Sequence, residues 1–236
     1  MVRIGKFFLL LLLVTTFFAL GFEAYRRLHD REYFPIQVVH VYGAQHIDHQ
    51  ELQNLIQPLV THNFFTVDME HIKDRLRQFS WVENTTIRRI WPDQVDIVIS
   101  EHQPIAVWHD GNLLSANGDL FSPGGYDIPS GLPQFIGPDG SQASMLQSFN
   151  DFNRELTPLH VKITTLELTS YRMWRLSLDN NIRLHLGHKN ILTHLSQFVK
   201  VYPKIIGSKA EDVDYIDLRY PNGIAVKWKV TKDWKP

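Results

Sequence analysis

Residues 7–22, FFLLLLLVTTFFALGF, run sixteen positions without a charge, and no other stretch of the chain resembles them. Sixteen helical residues reach about 24 Å at 1.5 Å per residue, a little short of the roughly 30 Å hydrocarbon core of a bilayer. Lys6 can reach outward at one end, and residues 21–25 can prolong the helix at the other. Phe22 and Tyr25 suit an interfacial depth. The segment is apolar on all sides, so it does not read as one face of a soluble core helix. Two readings compete. A cleaved secretory signal would use Arg3 and Lys6 as its basic region and Ala19-Leu20-Gly21 as its cleavage site. An uncleaved anchor is favoured by the length of the run, by bulky Phe22 directly after that site, and by the charged helical continuation over residues 23–31. Under either reading the body is expected outside the cytoplasm. Charge does not orient the segment, because Arg3 and Lys6 on one side face Arg26, Arg27 and Arg31 on the other.

Behind this segment lies a chain of ordinary soluble character. Of 236 residues, 44% are apolar and 21% charged, which is globular composition and leaves room for one large domain or two small ones. A net charge of −1 gives no sign of nucleic-acid binding. The absence of cysteine excludes disulfide scaffolds, thiolate metal sites and thiol nucleophiles.

Residues 23–34 read as a juxtamembrane helix and linker closed by Pro35. Residues 36–42 alternate as a strand. Asp48 and Glu51 form a capping-box pair before Leu52, Leu55, Ile56 and Leu59, with a break expected at Pro58. Asp68 caps a second helix carrying Met69, Ile72, Leu76 and Phe79. Strands at 82–90 and 95–101 follow, joined by Trp91-Pro92-Asp93-Gln94. This β-α-α-β-β order predicts two helices on a three-stranded sheet.

A second part begins near residue 102. A hairpin at 105–108 and 113–115 turns on Asp110-Gly111, and a short strand follows at 120–121. Residues 122–140, with four Pro and five Gly, read as loop. An amphipathic helix at 141–156 buries Met145, Leu146, Phe149, Phe152 and Leu156. A strand at 161–168 and a hairpin over 174–186 precede a helix capped by Asn190. The last hairpin pairs 215–220 with 224–228 around Pro221-Asn222-Gly223, which makes its second strand a candidate sheet edge. The fold class is α+β: a β-α-α-β-β domain, then antiparallel sheet with helices packed on it. The expected divisions are a stub at 1–6, a transmembrane helix at 7–25, a linker at 26–34, domains at 35–102 and 103–230, and a tail at 231–236.

No catalytic or metal set emerges, and no cofactor is expected. His46 and His49, like His185 and His188, are three apart, but the second pair sits at a strand end and the first flanks a helix cap. No G-x-S-x-G elbow occurs, and the glycines of 124–140 lack a strand-loop-helix setting. Asp93, Asp96, Glu101, Asp110 and Asp119 fall in turns or on hairpin edges, where acidic residues are common. The run Arg88-Arg89-Ile90-Trp91-Pro92-Asp93 admits two readings: a solvated strand end with Trp91 packing the hairpin, or a docking surface.

Five motifs in register resemble the FtsQ/DivIB family of bacterial cell-division proteins, whose first folded unit is a POTRA domain. Trp81-Val82-Glu83 followed by Ile87-Arg88-Arg89-Ile90-Trp91-Pro92-Asp93 is similar to the family's P-W-V…V-R-R-x-W-P-D, with Ser80 in place of the usual Pro. Glu101 to Trp108 is similar to E-x-x-P-x-A-x-W, and Gly118-Asp119-Leu120-Phe121 to G-x-x-F. The alternating run Trp174 to Leu186 and the terminal YIDLRYPNGIAVKW, Tyr215 to Trp228, complete the set.

The resemblance implies a scaffold without enzymatic activity. It implies an uncleaved single-pass anchor in the inner membrane, with a cytoplasmic amino terminus and a periplasmic body at the division septum. It implies partners FtsB and FtsL, with looser contact to FtsA, FtsK, FtsW, FtsI and FtsN, and FtsB adding a strand at the last edge. By position it makes Arg219, Tyr220, Gly223 and Trp228 the contact residues, with Arg172 on a neighbouring strand. Lys227 departs from the small residue expected there, and an edge lysine usually deters strand pairing. The residues themselves leave Tyr220 and Trp228 open to a core role. Two other classes stay open: a POTRA-bearing secretion or assembly component, and a membrane-anchored periplasmic cell-wall enzyme.

Overall fold

Helix α1 (Val2–His29) takes in the whole uncharged run. The structure, a computed structural model, describes residues 2–30, 33–61, 63–221 and 223–229, with side chains described from Leu10 onward except His29. Arg31 of the linker, Asn222 of the last turn and the tail at 231–236 therefore lie outside the described residues. Along α1, Leu10 to Val14, Phe17, Phe18, Leu20 and Phe22 all stand exposed. Among the described residues no helix is long and apolar enough to cross a membrane. The transmembrane helix expected at 7–25 is thus not established by the structure.

The chain divides into two units, Met1–Glu101 and His102–Pro236. In the first, β1 (Val38–Tyr42), α2 (His49–Val60), α3 (Met69–Leu76), β2 (Val82–Ile90) and β3 (Gln94–Glu101) follow in order. The three strands form a sheet ordered β1-β3-β2, with β3 central, parallel to β1 and antiparallel to β2. Asp48 accepts the backbone N–H groups of Gln50 and Glu51, and Asp68 accepts that of His71, so both helices start where the caps predict. Helix α2 does not break at Pro58 but runs on to Val60. The proline lies in the last turn, where its missing N–H costs a single intrahelical bond. Val95, Ile97 and Ile99 alternate inward along β3 and are buried with Leu52, Ile56, Ile72, Leu76 and Trp81.

The turn after β1 is held by a carboxylate. Glu101 accepts the backbone N–H groups of Gln45 (2.8 Å) and His46 (3.0 Å), and its other oxygen lies 2.7 Å from His46 Nδ1. The His46 ring stacks on Trp81 at 4.0 Å. Glu101, weighed above as a catalytic acid, thus serves as a turn clamp. Trp91 does not pack the hairpin as one reading expected; it is 71% exposed, whereas Trp81 is fully buried.

The second unit contains β4 (Pro104–Trp108), β5 (Leu113–Ser115), β6 (Leu120–Phe121), β7 (Gln134–Ile136), α4 (Gln142–Leu156), β8 (Ile163–Leu168), β9 (Trp174–Leu178), β10 (Arg183–Gly187), α5 (Ile191–Ile205), β11 (Val213–Asp217) and β12 (Ala225–Trp228). All nine strands join one sheet, ordered β12-β11-β10-β9-β8-β7-β4-β5-β6. The α+β class holds, but the sheet is mixed rather than antiparallel. β7 pairs in parallel with both β4 and β8, and β10 with β11. The chain crosses over through α4 between β7 and β8, and through α5 between β10 and β11; a crossover returns the next strand in the same direction. β7 itself was hidden inside the Pro/Gly-rich loop, since only Phe135 of its three residues is buried. Asn190 adopts a left-handed conformation and makes no side-chain cap to α5, contrary to expectation. Met145, Phe152, Leu156, Leu195 and Phe198 from the helices close one core with Leu166, Leu176, Leu184 and Ile216 from the strands.

Candidate functional site

Strand β12 lies at one edge of the nine-stranded sheet. It pairs antiparallel with β11, with Tyr215 opposite Lys227 and Asp217 opposite Ala225. The Lys229 N–H donates inward to the Asp212 carbonyl (2.6 Å), while on the far side of β11 the Leu218 N–H donates to His185 of β10 (2.8 Å). Main-chain groups alternate sides along a strand. Residues 225, 227 and 229 therefore bond inward, and the N–H and C=O of Val226 and Trp228 point to the open edge. Among the described residues no strand pairs with that edge. Ile224 and Val226 pack against the core, so β12 is seated through one face. Trp228 is outside the core at 41% exposure.

The Lys227 side chain lies along the sheet face. Its Nζ lies 5.2 Å from the centre of the Tyr215 ring and 3.5 Å from Asp214 Oδ2. Asp214 also pairs with Arg183, and these contacts draw the lysine along the sheet face.

The remaining predicted residues distribute unevenly. Strand β11 stops at Asp217, so Arg219 and Tyr220 lie just beyond it rather than within the strand expected at 215–220. Tyr220 is 56% exposed and takes no part in the core. Gly223 is exposed, with open space where a Cβ would stand. Arg172 is not on a strand: it occupies the β8–β9 turn in a left-handed conformation, its N–H donating to the Thr169 carbonyl. Since Trp174 at the start of β9 pairs with Gly187 at the end of β10, this turn lies at the same sheet end as Arg219. β9 and β10 nevertheless stand between the β8–β9 turn and β11, so the neighbouring-strand placement is corrected.

Arg219 is not a free cation. Its Nε donates to both Asp217 oxygens (2.8 and 3.0 Å), its Nη2 to Oδ2 and its backbone N–H to Oδ1 (3.0 Å). Asp217 is buried, and the guanidinium beside it holds its carboxyl below the usual carboxylate range while its own pKa rises. Next to this pair, His185 stacks on Tyr215 at 4.8 Å. Burial pushes the His185 pKa down, opposed by Asp217 and reinforced by Arg175, Arg219 and Arg183.

The sign of that shift gives a pH dependence. A histidine with a depressed folded pKa is neutral in the fold and takes up a proton on unfolding, so its stabilising contribution is present above about pH 6.5 and lost below it. Melting temperatures measured from pH 7.5 down to 5 are expected to fall less steeply for His185→Gln than for the wild type. Equal slopes would refute the role of His185.

Two residues of this site escaped sequence reasoning: Asp217 and Gly187. The first had a readable signal, because an aspartate readily accepts the backbone N–H two residues on, as Asp217 does from Arg219. The second had none, since its neighbour Arg219 is distant in sequence. Among the described residues no three His, Cys, Asp or Glu side chains gather as metal ligands.

The two units define a class of protein: a POTRA-type domain followed by a sheet domain with helices packed on it. Residues 34–102 match the POTRA domain of FtsQ type, and residues 106–219 match the carboxy-terminal region of the cell-division protein FtsQ/DivIB. The second match ends at Arg219, so β12 lies outside it. The chain is 35% identical over 203 residues to the cell division protein FtsQ of Coxiella burnetii, covering 86% of this chain and 84% of that one. It is 31% identical over 228 residues to FtsQ of Vibrio cholerae (95% and 86% covered) and 29% identical over 233 residues to that of Escherichia coli (96% and 84%). The chain belongs to the FtsQ/DivIB family of cell-division proteins.

Proposed function

We propose that this chain is a non-enzymatic scaffold of the division machinery that binds FtsB, together with FtsL, by strand addition at β12. One observation carries the reading: a strand edge left open among the described residues, flanked by exposed Tyr220, Trp228 and half-exposed Arg219. Main-chain bonds from an added strand supply affinity, while Tyr, Trp and Arg are the side chains most often found at binding hot spots. Gly223 leaves the main chain approachable at the start of the edge. Arg172, at the same sheet end, is a second contact for a partner that extends past β10. FtsA, FtsK, FtsW, FtsI and FtsN are further partners of looser contact. Residues 7–25 anchor the chain in the inner membrane as a single uncleaved span, with the amino terminus cytoplasmic and the two folded units in the periplasm at the septum. Anchoring keeps the edge within reach of partners that are themselves membrane-held.

Depletion of the protein is expected to give filamentous cells without constrictions. Wild-type chain restores division. Arg219→Glu or Tyr220→Ala does not, and each lowers FtsB capture about 30-fold, the effect of a hot spot near 2 kcal/mol. Tyr220→Ala retains the wild-type melting temperature, whereas Arg219→Glu sets a second carboxylate against buried Asp217 and melts earlier. Normal division on depletion, or normal FtsB capture by both variants, would overturn the reading.

A further inference from the structure

Arg219 is arranged before any partner strand is present, and two residues arrange it. The first is Asp217, only 5% exposed, which takes the Nε and Nη2 protons and the backbone N–H of Arg219 on its two oxygens. The second is Gly187, at the end of β10 with φ 78°. A Cβ there would lie 3.2 Å from Arg219 Cγ, 3.8 Å from its Cβ and 3.9 Å from its Cδ, so the arginine stem lies across the bare glycine. A side chain at this position would be strained by the backbone and would press the stem aside. The Leu218 N–H to His185 carbonyl bond (2.8 Å) holds the chain beside β10 up to this point. Head, stem and backbone of Arg219 are thus all fixed, and its side chain is still 48% exposed.

We infer that Asp217 and Gly187 are positioning residues of the docking edge, presetting the Arg219 guanidinium so that its outward N–H groups meet an acceptor on the incoming strand. The inference rests on the reading of β12 and Arg219 as a docking site. Ordering a long side chain at an interface weakens binding by a few-fold to about tenfold. A guanidinium already held in place avoids that loss. Asp217 also offsets its charge, so the acceptor on the partner need not be ionised. Neither positioning residue has to touch the partner.

The test is a double-mutant cycle on the full-length chain in detergent, titrated with the purified periplasmic segment of FtsB. Asp217→Asn and Gly187→Ala are each expected to weaken binding about fivefold when Arg219 is present, and less than about twofold in an Arg219→Ala background. A purely structural role would cost the same in both backgrounds, and that result, or no loss in either, would overturn the inference. Asp217→Asn keeps the size of the side chain and one acceptor, so it decides the matter if Gly187→Ala melts early. If Arg219→Ala alone binds like the wild type, the docking role of Arg219 falls and the positioning role with it. If Arg219→Ala weakens binding but the cycle shows no coupling, only the positioning role falls.

Discussion

Val226→Pro is expected to lower FtsB capture by about 30-fold or more while leaving the chain folded. The Val226 N–H points to the open side of β12, by the alternation that Lys229 and the Asp217–Ala225 pairing establish. Proline removes that donor and sets its ring where an added strand would run, and proline is tolerated on edge strands whose N–H faces solvent. Losing a central main-chain bond and the close approach together amounts to about 2 kcal/mol or more, or roughly 30-fold. One residue on, the outcome reverses. Lys227→Pro removes an inward N–H opposite Tyr215, so its main effect falls on the melting temperature. Binding titrations and thermal unfolding of the two variants form the measurement. Unimpaired capture by Val226→Pro would show that the partner does not add to this edge.

Gly43→Ala is expected to unfold the first unit near physiological temperature. Gly43 sits after β1 with φ 87°, and a Cβ there would lie 2.0 Å from the Ile99 carbonyl oxygen. That oxygen belongs to β3, the central strand, which is paired on both sides and cannot withdraw without breaking a ladder. The left-handed strain alone costs about 1–2 kcal/mol. With the clash the loss is about 3 kcal/mol or more, which lowers the melting temperature of a domain this size by roughly 12 °C or more. Gly111→Ala is the matched control: its φ is 89°, but nothing stands within 4 Å of the added methyl. It should show the strain without the clash. Equal falls in melting temperature, each read on the transition of its own unit, would refute the steric account.

Much of the fold was legible in order because its signals are local. Asp48 and Asp68 mark helix starts through bonds to residues two and three further on. The β-α-α-β-β order and the five motifs in register, among them the alternation of 174–186 and the YIDLRYPNGIAVKW run, suggest the family from the sequence. Less legible were features that depend on which distant segment lies alongside. The parallel pairings of β7 and of β10 with β11 follow from crossovers, and hydrophobic period does not encode strand direction. Trp81 and Trp91 look alike in sequence, yet one is fully buried and the other 71% exposed.

The candidate site divides along the same line. The resemblance to the family, carried over by position, made Arg219, Tyr220, Gly223 and Trp228 the expected contacts, and the residues themselves marked a last strand as a candidate edge. Tertiary structure decided which main-chain groups face outward and moved Arg172 from a strand to a turn. It also drew Lys227 onto Tyr215 and placed Gly187 under the Arg219 stem. The reason is physical: a residue's own conformation is set mostly within a few neighbours, whereas its exposure and partners depend on strands brought together across the sheet.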